Sequence, residues 1–383
     1  LLRRRASPLR SGFGWPIGRS GRRIAVEEPE TCQRKARDCP PEERMRLLVT
    51  GGAGFIGSNF IRIYMDRHSD CEIVNLDKLT YAGNLQNLSE VEDDARYSFV
   101  KGDICDRRTA DSVMRGVDAV VNFAAETHVD RSIGDSSSFI RTDVLGVHIL
   151  LESARAHGVA RFVQVSTDEV YGVTTDRPFT EQDRLTPRNP YSASKAGGDL
   201  LALSYFVTHD FPVMITRGAN SIGPNQYPEK VVPLFVTNAI DDLPLPLYGS
   251  GEQERDYTHV FDHCAGIELV LEKGQAGEIY NIGAGNHMRN IDMARLILKE
   301  LGKPESLIRH VRDREGHDFR YAIDSTKIRS IGWKPRFDAS EAILDAVSWY
   351  VENPDWWRPI KSGEFREFYE RLYGARLRET ERR

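Results

Sequence analysis

A doubly wound parallel α/β sheet of the Rossmann type, joined to a smaller mixed C-terminal lobe, is predicted by three features. Short apolar runs alternate with longer stretches of helical character. The first run closes on a glycine-rich loop that opens a helix, and the second ends in a carboxylate. At 383 residues the chain has room for such a sheet and a second lobe.

The elements follow in order. Arg46–Thr50 reads as a buried parallel strand, with a helix continuing over Asn59–Arg67. Glu72–Asp77, Tyr97–Val100, Ala119–Phe123, Arg161–Ser166 and Pro212–Arg217 read as five further strands. A helix over Asp143–His157 separates the fourth strand from the fifth, and another begins at Tyr191 behind Asn189-Pro190. This cofactor domain is expected to span 45–223. Beyond Gly223 prolines cluster and strands shorten, so 224–365 is expected to form a substrate-binding lobe with helices at Asn290–Leu301 and Ser340–Glu352. Segments near 257–285 are expected to cross back, with Ile279–Ile282 rejoining the main sheet. A charged tail, 366–383, is expected to fray after Tyr373.

Charge is unevenly distributed. Residues 1–44 hold eleven Lys and Arg against six Asp and Glu, so the net −5 of the chain leaves ten negative charges in excess over 45–383. The basic head is expected to be a disordered extension, or upstream sequence carried by a misassigned start, because Met45 directly precedes the first strand. A targeting or nucleic-acid arm is the other reading. With an acidic body and no apolar run near the ~20 residues of a membrane span, neither nucleic acid nor membrane is an expected partner. Five scattered cysteines without Cys-x-x-Cys spacing fit a reducing cytoplasm rather than a disulfide framework.

Chemistry concentrates in a few motifs. Gly51, Gly54 and Gly57 space a turn that lets a pyrophosphate approach a helix N-terminus, whose free amides favour anions. Asp77, about twenty residues on, suits the adenosine ribose hydroxyls and repels a 2′-phosphate, which favours NAD over NADP. Asp103 and Ile104 fall where an adenine edge would lie. Phe123, Ala124 and Ala125 offer small side chains beside a cofactor. No second His or Cys accompanies His128 at ligand spacing, so no metal is expected. Thr167, Asp168 and Glu169 end the fifth strand, where open α/β sheets place their ligands. Tyr191 and Lys195 stand one helical turn apart, and the ammonium is expected to lower the phenol pKa towards working pH. An oxidising tyrosine beside two carboxyl groups points to elimination of water.

Together these segments resemble the extended short-chain dehydrogenase/reductases, and within them the dTDP-glucose 4,6-dehydratases, from about Met45 to Gly363. The likeness is carried by Val49–Gly57, Asp77–Asn84, Ala124–Ser132, Thr167–Gly172, Gly223-Pro224, Pro228–Lys230, Arg255-Asp256 and Gly316–Asp318. It implies an NAD-dependent hydro-lyase of deoxysugar precursor synthesis. Tyr191 would be the C4-hydroxyl base and Lys195 its partner. Asp168 would protonate the departing C6 hydroxyl, Glu169 would take the C5 proton, and Thr167 would bond near C4. The resemblance gives Phe55, Ile56, Asp77, Lys78, Leu79, Thr80, Asp103, Ile104, Phe123–Thr127, Thr142 and Tyr191–Lys195 as NAD contacts. It gives Thr127, Asn220, Lys230, Val231, Pro246, Leu247, Tyr248, Arg255, Asn290 and Asp313–His317 as substrate contacts, where cations would suit a diphosphate. Ser221 stands where the family has an amide near the nicotinamide. Helices Asp143–His157 and Tyr191–Phe206 are expected to pair across a two-fold axis as a homodimer. Two other readings stay open: a UDP-sugar dehydratase, epimerase or decarboxylase on this scaffold, and a non-catalytic dinucleotide sensor.

Overall fold

Runs such as Leu47–Val49 and Val120-Val121 are apolar at every position, which suits strands covered on both faces. The structure, a computed structural model, describes residues 44–174, 176–313 and 319–381. In chain order its strands are β1 (Met45–Thr50), β2 (Cys71–Asp77), β3 (Tyr97–Lys101), β4 (Ala119–Asn122), β5 (Arg161–Thr167), β6 (Val213–Gly218), β7 (Asn220–Ile222), β8 (Leu245–Tyr248), β9 (Glu254–His259), β10 (Ile279–Ile282), β11 (His287–Arg289) and β12 (Ile308–Val311). Seven of them form one parallel sheet in the order β10-β6-β5-β4-β1-β2-β3. The order reverses direction between β1 and β4, which opens a crevice at the carboxyl ends of these strands.

Alternation within each strand builds two cores. Leu47, Val49, Ile73 and Val163 face Phe60, Tyr64, Cys264 and Ile267 on one side. Leu48, Val74, Val120 and Phe162 face Val147, Leu150, Leu151 and Tyr205 on the other. As expected, Ile279–Ile282 returns to the sheet, pairing with Ile215–Gly218 of β6. A third core joins Ile222, Phe235, Leu245 and Tyr257 to Ile297, Val347, Tyr350 and Trp357. Two small sheets belong to this region: β7 and β11 flank β9, and β8 pairs with β12.

Three details depart from the sequence expectation. The first helix spans Phe55–Arg67, beginning four residues earlier than Asn59, with Gly54 as an N-cap that offers no side-chain bond. The stretch expected as one helix over Asp143–His157 is a π-helical turn, Arg141–Gly146, running into an α-helix, Val147–Ala156. The backbone packs closely at this turn: a Cβ on Gly198 would lie 2.5 Å from the Asp143 carbonyl, and one on Gly146 would lie 2.5 Å from Ile104. The tail does not fray at Tyr373. It forms the helix Ala375–Glu381, Leu377 packs on the third core, and Arg376 donates to the Tyr248 hydroxyl at 2.7 Å. The basic head lies outside the described residues apart from Arg44. No helix among the described residues is long and apolar enough to cross a membrane. Cys71, Cys105 and Cys264 are free thiols.

Candidate active site

A cavity of about 300 Å³ follows the carboxyl ends of the parallel strands. Its dinucleotide end begins at Gly51, whose φ of +69° is left-handed and whose Cβ, if present, would lie 2.6 Å from the Ala124 amide nitrogen. A Cβ on Gly57 would lie 2.5 Å from the Gly51 carbonyl. Loop, strand and helix are therefore in backbone contact, and the uncapped helix start faces the cavity. Asp77 fixes the loop by accepting from the Ala53 amide at 2.9 Å and the Leu79 amide at 2.7 Å. Burial raises the Asp77 pKa, and those two backbone bonds oppose the rise. Lys78 and Asp103 meet across the rim at 2.8 Å.

Gly51→Ala is expected to destabilise the fold. The left-handed backbone costs a non-glycine residue about 1–2 kcal/mol, and overlap with Ala124 adds roughly 1–3 kcal/mol. Thermal unfolding should show a fall of several degrees in Tm, and an unchanged Tm would contradict this reading of the loop.

The opposite end carries the reactive groups. Thr167 ends β5, and its hydroxyl caps the short turn Asp168–Tyr171 by accepting from the Glu169 amide at 3.3 Å. The same hydroxyl contacts Asp168 Oδ1 at 3.2 Å. Asp168 is 3 % exposed. Burial pushes its pKa well above the carboxylate range, and the charges of Glu169 and Asp256 push the same way. The Thr167 bond and Arg255 oppose them. A carboxyl in this setting favours its protonated form.

Helix Pro190–His209 starts on a capping box between Asn189 and Ser192, with Pro190 in its first turn. That start sets Tyr191 at the cavity wall and Lys195 one turn below. Lys195 is buried and donates to the Val165 carbonyl at 2.8 Å. The expected lowering of the Tyr191 pKa is overturned. Burial raises it well above 10, with Glu169, Asp143 and Asp168 adding to the rise and the Thr167 hydrogen bond opposing it. Desolvation is the largest cause, so Lys195 alone does not make Tyr191 acidic, and a cation bound beside the ring would be needed to favour the phenolate.

Most residues picked from the sequence line this one cavity: Gly51, Gly54, Phe55, Ile56, Gly57, Asp77, Lys78, Thr80, Asp103, Ile104, Phe123, Ala124, Ala125, Thr127, Thr142, Thr167, Asp168, Glu169, Tyr191, Lys195, Asn220, Ser221 and Lys230. Lys230 Nζ donates to the Thr127 hydroxyl at 3.2 Å, joining the two lobes across it. Leu79 is not on the wall, and its φ of +57° serves the turn around Asp77. Val231, Pro246, Leu247, Tyr248, Arg255, Asn290 and Asp313 are not on this wall either; they lie deeper in the C-terminal lobe than Gln226, Glu229 and Lys230, which do line it. There, Gln253 donates to Asp313 at 3.0 Å, the Asn290 amide donates to the Gln253 carbonyl at 3.0 Å, and the Arg255 guanidinium lies 4.6 Å over the Tyr321 ring. His317 lies outside the described residues.

Several wall residues escaped the sequence reading. Glu229 accepts from the Tyr81 hydroxyl at 2.8 Å and pairs with Arg131 at 2.9 Å. Asp143 reaches the seam beneath the wall, accepting from the Glu126 amide at 3.0 Å and the Ser194 hydroxyl at 2.6 Å. Burial pushes the Asp143 pKa up to about 6, with Lys195 and the two hydrogen bonds opposing. Gln226 and His263 also line the wall. Only the position of Asp143 beside Thr142, and of Glu229 beside Lys230, hinted at them.

A parallel sheet in this order, a glycine cradle at β1 and a Tyr-x-x-x-Lys pair at the cavity wall define a member of the extended short-chain dehydrogenase/reductase superfamily. Within it, the chain belongs to the family described as GDP-mannose 4,6 dehydratase, which matches residues 48–345. The chain is similar to a dTDP-glucose 4,6-dehydratase of Streptomyces niveus, 50 % identical over 323 residues, covering 83 % of this chain and 96 % of that protein. Among solved structures it is similar to DesIV, a dTDP-glucose 4,6-dehydratase of Streptomyces venezuelae with NAD and TYD bound. That likeness has a TM-score of 0.80 and 50 % identity, covering 83 % of this chain and 100 % of the other. A dTDP-glucose 4,6-dehydratase of Bacillus anthracis in complex with NAD gives a TM-score of 0.78 and 45 % identity, with the same coverage.

Proposed function

We propose that the chain is an NAD-dependent dTDP-glucose 4,6-dehydratase, converting dTDP-glucose to dTDP-4-dehydro-6-deoxy-glucose and water. The observation that carries this is the buried Asp168, its pKa raised by burial and by Glu169, in the cavity that Tyr191 lines. Plain oxidation needs the tyrosine; loss of water needs the carboxyl pair as well.

The residues fit NAD. The cradle at Gly51 and Gly57 leaves space that a Cβ would fill, the helix start at Phe55 has no side-chain cap, and Asp77 presents a carboxylate where a 2′-hydroxyl is accepted and a 2′-phosphate repelled. Gly51, Gly54, Phe55, Ile56, Gly57, Asp77, Lys78, Thr80, Asp103 and Ile104 would hold its adenosine diphosphate half. Bound there, NAD would supply the hydride acceptor for C4, the hydride donor for C6 and a positive charge in its oxidised form.

The protein supplies the proton transfers. Tyr191 would act as the phenolate, taking the C4 hydroxyl proton as that carbon is oxidised, with Lys195 fixed below it and Thr167 bonded to the phenolic oxygen. The C4 ketone acidifies the C5 hydrogen, which Glu169 removes. Asp168 gives its proton to the C6 hydroxyl, and water leaves. Glu169 returns a proton to C5 as C6 is reduced, and the cycle closes when Tyr191 releases its proton to solvent and Asp168 regains one from it. The division of labour follows the lobes: residues 45–223, rejoined by the segment near 257–285, hold the dinucleotide, and 224–365 take the nucleoside diphosphate. Lys230, Arg255, Asn290 and Asp313 are the polar groups proposed for that half.

Incubation with dTDP-glucose and, separately, UDP-glucose tests the proposal. A 4-keto-6-deoxy product from dTDP-glucose supports it, preferential turnover of UDP-glucose reassigns the base, and no turnover of either contradicts it.

The proposed assembly is a homodimer, in a reducing cytoplasm. Ile140 (56 % exposed), Leu145 (44 %), Leu200 (58 %) and Val207 (82 %) leave large apolar side chains on the packed helices behind the site. Leu200 and Val207 are seven residues apart, on one stripe. Sedimentation equilibrium is expected to give twice the chain mass, and Leu200→Arg to shift it towards one; a monomeric parent would contradict the pairing.

A further inference from the structure

The floor of the cavity contains a polar group that the reaction scheme does not use. Ser221 lies on β7, just past the end of β6, and His263 lies on the helix Val260–Lys273. The Ser221 hydroxyl is 2.6 Å from His263 Nδ1. His263 is 2 % exposed, and its other nitrogen, Nε2, is buried without a partner. Gln226 donates through Nε2 to the Ser221 carbonyl at 2.8 Å, while its Oε1 is likewise buried without a partner. All three residues line the cavity. Gly218 makes room for the ring, since a Cβ there would lie 2.4 Å from both Cε1 and Nε2 of His263.

Buried polar atoms without partners are costly and uncommon in folded proteins. Two in one cavity wall, on neighbouring side chains, mark a place where a ligand completes the bonding. Burial holds His263 neutral, its pKa lowered to about 4. A neutral imidazole has one donor and one acceptor. The Ser221 hydroxyl can donate to Nδ1, and in that tautomer Nε2 carries the hydrogen and is the donor. Gln226 Oε1 is an acceptor. One donor beside one acceptor is the complement of a primary carboxamide. The location agrees, because Gly218 stands opposite Thr167 in the β5–β6 register, at the reactive end of the cavity and away from Asp77 and Asp103.

We propose that His263 and Gln226 bind the carboxamide of the nicotinamide, and that Ser221 acts through His263 by fixing its tautomer. The inference rests on the NAD reading above and goes beyond it: it assigns two residues outside the sequence motifs and gives Ser221 an indirect role.

Isothermal titration of the purified chain with NAD and with ADP-ribose, which lacks the nicotinamide, tests it. The parent protein is expected to bind both. His263→Phe keeps a ring against Gly218 and is expected to weaken NAD about tenfold while leaving ADP-ribose within about twofold of the parent. Ser221→Ala is expected to weaken NAD several-fold with ADP-ribose unchanged, and it decides the matter if His263→Phe fails to fold. Equal loss of both ligands, or no loss of NAD, overturns the carboxamide assignment. A parent chain that binds neither ligand overturns the NAD reading itself.

Discussion

Tyr191→Phe is expected to lower kcat on dTDP-glucose about 10³-fold or more, at the upper part of the range for loss of a general base, with the fold and the bound dinucleotide retained. The ring itself is held by packing, edge-on to Phe139 at a centroid distance of 6.2 Å. Phenylalanine fills that volume, so the substitution removes one hydroxyl and its bond to Thr167. With no proton acceptor at the C4 hydroxyl, the first step stops. Neither the oxidised intermediate nor the product should form, and single-turnover absorbance should show no reduced nicotinamide. A variant that keeps a tenth of parental turnover would remove Tyr191 from the base role. Thr167→Val is the milder companion change, because it takes one hydrogen bond from Tyr191 and one from Asp168 while leaving both groups in place.

Asp168→Asn is expected to separate the two halves of the reaction. The amide keeps the size of the carboxyl and its contact with Thr167, so oxidation at C4 should proceed. It has no proton to give the C6 hydroxyl, so dehydration should slow by about 10²–10⁴-fold and reduced nicotinamide should accumulate on the protein. The pH dependence follows from the direction of the shift. Asp168 acts only when protonated, and burial, Glu169 and Asp256 raise its pKa. Parental dehydration therefore persists well above the usual carboxylate range and fades as pH rises through that elevated value. In the Asn variant this alkaline fall should vanish, leaving a low rate. A normal dehydration rate in the variant would show that another group donates the proton.

Local physics made much of this architecture readable. All-apolar runs located the strands of the parallel sheet to within a residue or two, and even the returning strand Ile279–Ile282 was visible as an isolated apolar run past the prolines. The glycine spacing and Asp77 were readable because a close backbone approach needs residues without side chains. What stayed hidden depends on residues far apart in sequence. Lys195 suggested an acidic tyrosine, yet the phenol is governed by burial and by carboxyl groups at 143, 168 and 169, which only the folded chain brings near it. The π-helical turn holding Asp143 packs against Gly198, more than fifty residues later. The charged tail looked free because its apolar residues are few. Tyr369, Tyr373 and Leu377 nevertheless reach a core built largely between residues 222 and 357. His263 lies inside an ordinary amphipathic helix with no motif around it.

The most direct test follows a label through one turnover. With dTDP-glucose carrying deuterium at C4, the account predicts dTDP-4-dehydro-6-deoxy-glucose with that deuterium at C6, because hydrogen removed at one carbon returns within the same cavity while Asp168 and Glu169 expel water. Deuterium still at C4 of an epimerised sugar, or lost to solvent, would contradict it.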